Sequence, residues 1–395
     1  MTSATGPASD TAFGAVAWSW VDHLRRRGCT PWLDWVARPD PADPVPTGQL
    51  PGAAQLETVR RLAARPLSAD VPFAELADLV LDRAAPGRGP DDLPLLWPHH
   101  DGRDGFGPPP VDPARIPGSE LVRVLVGALA ELLVRTPDED RTVPEAGRRR
   151  RRVVGSPALA PAVRAALAGQ EHTGPAVVVL AEPLDELLGQ TWALRMSRGG
   201  IAPWPRHVDR FARAGALPRV ADPAGAAARW AERVGPDQVH VVVTAAGQEY
   251  DAQRAAADAL GVEIGDAAAP RRRGPGPAQA ELLRRLNQVL RGRTSADRHR
   301  AEVNRLVPLL TEDPLGHRLT VPARHERWLR DAAEQTVRRL REGGFRVHGD
   351  LDTLLPAAPD SGPADWDLLD LALDTCLAVA GAPATSVVLT GGALR

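Results

Sequence analysis

Two short runs constrain the fold more than anything else in this chain. Residues 176–180 (AVVVL) and 238–244 (QVHVVVT) are continuous in β-branched and apolar side chains instead of alternating with polar ones. That is the pattern of strands covered on both faces. A shorter run, Arg152-Val153-Val154, precedes them, and helical patterns stand around them at 159–168, 184–198, 224–234 and 250–260. Strands that alternate with helices need crossover connections, so this region predicts an α/β domain around a parallel sheet flanked by helices.

The flanking sequence reads differently. Residues 13–27 carry Val16, Trp20 and Leu24 at helical spacing, and 53–64 carry Leu56, Val59 and Leu62; further helical patterns cover 73–83 and 121–134. Pro- and Gly-rich stretches at 38–51, 84–118, 136–147 and 266–277 read as loops or linkers. Residues 278–342 turn wholly helical. One apolar stripe there contains Leu282, Leu283, Leu286, Val289 and Leu290, and another runs from Trp328 to Leu340 before Gly343-Gly344 ends it. An acidic amphipathic helix follows at 365–380. The organisation expected is an acidic helical N-terminal module over 1–147, the α/β domain with its helical extension over 148–356, and an acidic C-terminal helix and tail over 357–395. Trp18, Trp20, Trp32 and Trp35 are expected to pack a core, not to form a ligand cage.

Composition decides which chemistry is open. All 48 basic residues are Arg, and the chain has no Lys. That removes the GxxxxGK[ST] loop of P-loop hydrolases, the strand Lys of protein kinases and the Schiff-base Lys of pyridoxal phosphate enzymes. Arg cannot replace Lys as base or amine nucleophile, because its pKa stays above about 12. Formal charge is uneven, −7 over 1–147, +11 over 148–349 and −6 over 350–395. The acidic flanks are expected to neutralise the basic middle. The densest run, 148–152, has no interleaved aromatics to stack on bases, so it is a weak nucleic-acid signal. Two cysteines, Cys29 and Cys376, form no metal or disulfide spacing, and no apolar run is long enough for a membrane span, so a cytoplasmic protein without a membrane partner is expected.

Ligands of parallel sheets bind at the carboxyl ends of the strands, which directs attention to the turn Gly155-Ser156-Pro157-Ala158 after the first run. Its backbone amides and helix dipole suit a phosphate, yet Pro157 and Pro161 remove donors and Ser156 is the one hydroxyl. Gly155, Ser156 and Arg152 are the candidate anion-binding residues; no catalytic residue is assigned. His99-His100-Asp101 with Asp104 reads as a solvated loop, His325-Glu326 lacks the second His of HExxH because Leu329 stands there, and His240 reads as a core histidine. No metal site is expected. Tyr250 has no Lys four residues later, which removes short-chain dehydrogenase chemistry.

Three stretches taken together resemble bacterial sulfotransferase-like proteins: Arg229-Trp230-Ala231 with Val239-His240-Val241-Val242; Glu281-Leu282-Leu283-Arg284-Arg285-Leu286-Asn287; and Val347-His348-Gly349-Asp350-Leu351-Asp352 with Leu354-Leu355-Pro356. The resemblance covers about residues 150–356. It implies a P-loop-related α/β fold that binds PAPS, the activated sulfate donor, and passes its sulfuryl group to an alcohol or amine. It also implies a donor loop with a Lys and a Thr pair, matched here by Val154-Gly155-Ser156-Pro157-Ala158-Leu159, which keeps a Gly and a Ser only. An Arg expected just after the second strand, for the 3′ phosphate, is matched by Glu182, and Gln190-Thr191-Trp192 stands loosely where a Ser is expected.

The expectation is therefore a sulfotransferase-fold protein with a degenerate PAPS site, serving as a non-catalytic binding or interaction protein with an unidentified small-molecule or protein partner and no cofactor. The alternatives are a divergent sulfotransferase that draws its cations from Arg152, Arg195 or Arg198 and uses PAPS, and a nucleic-acid-binding protein.

Overall fold

The computed structural model describes residues 7–38, 50–68, 70–82, 94–96, 109–135, 152–168, 174–263, 272, 274–310, 318–356 and 364–382. Among these residues the helices are, in chain order, α1 Pro7–Arg25, α2 Trp32–Val36, α3 Ala53–Ala63, α4 Phe73–Leu81, α5 Gly118–Arg135, α6 Leu159–Ala166, α7 Leu184–Met196, α8 Trp204–Ala214, α9 Pro223–Val234, α10 Glu249–Leu260, α11 Pro277–Leu290, α12 Ala296–Leu306, α13 Glu326–Glu342 and α14 Asp365–Gly381. The strands are β1 Val153–Gly155, β2 Val177–Ala181, β3 Val239–Val243 and β4 Arg346–His348. They divide into two compact units, one formed by 1–139, 288–311 and 365–395, the other by 140–287 and 312–364.

The first unit is helical. Trp20 and Trp32 are fully buried with ring centroids 5.1 Å apart, and each indole N–H reaches a carbonyl, Thr30 O at 2.9 Å and Leu96 O at 2.6 Å. Aromatic rings thus supply core area while their polar atoms stay satisfied. The last helix, α14, belongs to this unit. Leu369, Ala372, Leu373 and Cys376 are buried where α14 packs along α5, whose Leu121, Leu125 and Leu129 are equally buried. Arg65 pairs with Asp370, and the Arg61 guanidinium lies 5.0 Å from the Trp366 ring. An acidic helix therefore packs on a module that is itself acidic. Burial of an apolar stripe at roughly 25 cal/mol per Å² outweighs exposed like charges, which salt screens within about 10 Å.

The second unit holds the sheet, an α/β arrangement in which every strand pair is parallel. Strand order is β1-β2-β3-β4. Val178 stands beside Val153 and His240, and Leu180 beside Gly155 and Val242. Val178, Leu180 and Val242 share one core cluster with Leu159 and Val163 of α6 and with Ala252, Ala256 and Leu260 of α10. The alternate positions Val177, Val179, Val241 and Val243 are buried too, and α9 also packs on β2 and β3. Both faces are covered, which is why the runs are continuous in apolar residues. β4 is the strand that periodicity does not announce. Arg346 and Val347 are exposed at the sheet edge, and the strand is held by its register with β3 and by a 3.0 Å contact between His240 Nδ1 and His348 Nε2. His240 is a buried core histidine with a specific partner on that edge.

A second apolar centre forms between α7 and α8. Trp192 and Trp204 approach to 6.0 Å, and Trp204 stacks on His207. Thr191 donates its hydroxyl hydrogen to Leu188 O, so its oxygen accepts from His207 Nε2 at 3.2 Å. Burial, with Arg195 and Arg210 adding to it, lowers the His207 pKa from 6.5 to about 4. The unfolded chain takes up a proton between these values that the folded chain refuses, so stability falls as pH drops through that window. A loss on the order of 2–3 kcal/mol between pH 7 and 4 is expected from this group. Urea unfolding of His207→Gln should show a flatter pH dependence there than the parent; equal slopes would contradict it.

Candidate functional site at the strand ends

The carboxyl ends of β1, β2 and β3 gather the polar groups of the α/β unit. Gly155 closes β1 with φ of 101°, and a Cβ there would lie 2.1 Å from Leu180 O, so the turn requires glycine. Ser156 follows, fully buried. Its backbone N–H donates to Leu180 O at 3.1 Å, and its Oγ accepts from Leu159 N at 3.0 Å, capping the start of α6. The Ser156 hydroxyl then donates to Gln190 Oε1 at 3.0 Å, and Ala158 N approaches the same oxygen at 3.3 Å. Two polar groups of the turn, the Ser156 hydroxyl and the Ala158 amide, are thus taken by a side chain from α7.

Gln190 links the turn to a buried acid. Its Nε2 donates to Glu182 Oε2 at 2.9 Å. Glu182 stands one residue beyond β2 with no solvent exposure, and its other oxygen pairs with Arg272, which precedes α11. Arg272 Nε also donates to Glu249 Oε1 at 2.7 Å, at the first residue of α10. Burial works against the Arg272 charge, but Glu182 and Glu249 hold its pKa above the ordinary value. The Glu249 carboxyl is lowered, because bonds from Arg272 and backbone amides outweigh its burial. Glu186 in the first turn of α7 forms an ion pair with Arg318 at 2.8 Å, yet burial, with repulsion from Glu182 and Asp185, raises its pKa. Among the described residues, Glu182 and Glu249 thus face the Arg272 guanidinium, and Glu186 faces Arg318.

Of the residues singled out by sequence, Gly155 and Ser156 meet at this site and Arg152 does not. Arg152 stands before β1 with its carbonyl accepting from Val178 N, four residues and about 13 Å of strand from Ser156. Arg195 lies in the last turn of α7 and Arg198 just beyond it, about 15 Å along the axis from Asp185 in the first turn. Glu182 and Gln190 were legible as departures from the sulfotransferase pattern. Arg272 was not, since it sits in a Pro- and Gly-rich stretch some 90 residues away with no periodicity to place it. His325 contacts Asp209 at 2.5 Å, Tyr250 is exposed, and His99-His100-Asp101-Asp104 lies outside the described residues. Among the described residues no group of three or more His, Cys, Asp or Glu is placed to hold a metal, and no helix is long and apolar enough to cross a membrane.

A phosphosulfate needs cations and free amides aimed at its oxygens. This turn has no cation among its residues, its Ser156 hydroxyl and Ala158 amide are taken by Gln190, and behind Gln190 stands the buried acid Glu182, so the residues described do not fit that group. No family model matches the chain, and no solved structure matches it. A stretch of 59 residues is 39% identical to gamma-glutamyl phosphate reductase 2 of Bacillus licheniformis. It covers 14% of this chain and 14% of that protein, so the chain spans about a seventh of the length of the curated relative it matches.

The network has a direct mechanical test. Gln190→Leu leaves the Ser156 hydroxyl and one Glu182 oxygen without their partner, and is expected to lower stability by about 1–3 kcal/mol in urea unfolding. Gln190→Glu adds a charge beside Glu182 and should cost more at pH 7 than at pH 5. An unchanged midpoint in both would refute the network.

Proposed function

We propose that this chain is a sulfotransferase-fold protein, related to P-loop proteins through its strand, turn and helix at 153–166, whose PAPS site has degenerated and which acts as a non-catalytic binding or interaction protein. The carrying observation is the occupation of the donor turn by the chain's own side chain: Gln190 Oε1 takes the Ser156 hydroxyl and the Ala158 amide, and behind it stands Glu182, where the sulfotransferase pattern places a cation. Sulfuryl transfer relies on preorganised donors at the developing charge, and the loss of one costs about 10²–10³ in rate. Here the Lys, the Thr pair and the Arg are all replaced. The placement of Arg152, Arg195 and Arg198 away from this turn also favours binding over transfer. The short match to a reductase covers too little of either protein to carry an activity.

Titration calorimetry with PAPS and with its desulfated product is expected to show no binding up to about 1 mM. Micromolar affinity for either, or sulfate transfer to any acceptor of a hydroxyl and amine panel, would contradict the reading.

A further inference from the structure

The strand-end site is acidic, and it already holds a cation of a particular shape. Glu182 is fully buried, Glu249 is 19% exposed on its side chain, and the planar guanidinium of Arg272 lies between them, bonded through Nη1 to one and through Nε to the other. Gln190 fixes the second Glu182 oxygen, so the carboxylate presents its remaining oxygen in one orientation. Two further observations point to a site with room for more bonds than Arg272 makes. Arg272 Nη2 is buried with no hydrogen-bond partner among the described residues. Gln253, one helical turn after Glu249 on the same face of α10, is fully buried, and neither its amide oxygen nor its amide nitrogen has a partner among them.

We propose that this site is a guanidinium-binding site, that Arg272 is its resident occupant within the chain, and that a free guanidino compound or an arginine side chain of a partner takes its place. The inference rests on the reading of the strand ends as a binding site, and it gives that site a cationic ligand where the sulfotransferase pattern would give an anionic one. Paired carboxylates match the fork of a guanidinium through parallel N–H donors, whereas an ammonium offers a point charge. Among the described residues two carboxylates, Glu182 and Glu249, face the one guanidinium of Arg272, which favours a cation there over a phosphate. Arg272 is tethered, and a tethered group competes at an effective concentration on the order of millimolar. The intact chain therefore admits an outside guanidinium only when a partner binds with additional contacts or at high concentration, whereas a chain lacking Arg272 admits it readily.

The test uses the full chain and Arg272→Ala. Removing Arg272 leaves Glu182 buried without its cation, so the melting temperature is expected to drop by several degrees. Methylguanidinium chloride at 0 to about 10 mM should restore it along a saturable curve. Methylammonium chloride at the same concentrations should restore far less, and the parent chain should show no saturable change. Free L-arginine and an arginine-containing tripeptide, run beside methylguanidinium, distinguish a small ligand from a partner's side chain. The double variant with Glu182→Gln should lose the methylguanidinium response. If Arg272→Ala does not fold alone, refolding with methylguanidinium against methylammonium reads the same preference, and failure to recover in either counts against the proposal. A melting temperature unaffected by Arg272→Ala, or equal rescue by the two cations, would overturn it. These outcomes are independent of the PAPS titration: absent guanidinium rescue with no PAPS binding refutes the guanidinium site alone, and PAPS binding refutes the degenerate donor site.

Discussion

A carboxylate at the end of a central parallel strand organises the α/β unit. Glu182 follows five buried residues of β2 and is itself without solvent exposure. A charge in that position costs several kcal/mol in lost hydration unless it is paired and hydrogen-bonded. The chain meets this from three directions, with Gln190 of α7, Arg272 before α11 and, through Arg272, Glu249 of α10. The same Gln190 ties the acid to Ser156 and the start of α6. One buried charge thus cross-links the segments that follow β1, β2 and β3. Segments that in a ligand-binding sheet would converge on an outside molecule converge here on each other.

The turn after β1 has the backbone shape of an anion-binding turn, and the chain's own side chains occupy it. Gly155 keeps the left-handed backbone that lets β1 pass close to Leu180, and Ser156 keeps its capping bond. What the turn lacks is positive charge. No residue of the turn is basic, and the side chain that fills it is a neutral amide whose orientation is fixed by an acid. Among the described residues, positive charge near these strand ends belongs to Arg272 and Arg318, both paired with carboxylates.

The sheet was legible because β2 and β3 are buried on both faces, and burial on both faces leaves a continuous apolar run. β4 was not, because an edge strand of three residues exposes Arg346 and Val347 and is held by register and the His240–His348 contact instead of by its own hydrophobicity. Most helices around the sheet were read from their stripes; α8 was missed although it carries one too, with Trp204, His207 and Val208 inward and Arg206, Arg210 and Arg213 outward. At the site, Gly155 and Ser156 could be singled out in sequence because they lie at a strand end, and Glu182 and Gln190 only through comparison with a family pattern. Arg272 could not, because an ion pair across 90 residues depends on how the chain returns to the sheet. The position of α14 likewise follows from apolar contact with α5, which net charge does not report.

The self-filled site depends on the coupling between Glu182 and Arg272. A double-mutant cycle with Glu182→Gln, Arg272→Ala and both, read by urea unfolding at pH 7, measures it directly. Arg272→Ala alone strands a buried carboxylate and should be costly. The same change made in the Glu182→Gln background, where a neutral amide replaces the carboxylate, should cost little, giving a coupling energy of about 2 kcal/mol or more. Effects that add to within about 0.5 kcal/mol would contradict the pairing and the self-filled site built on it.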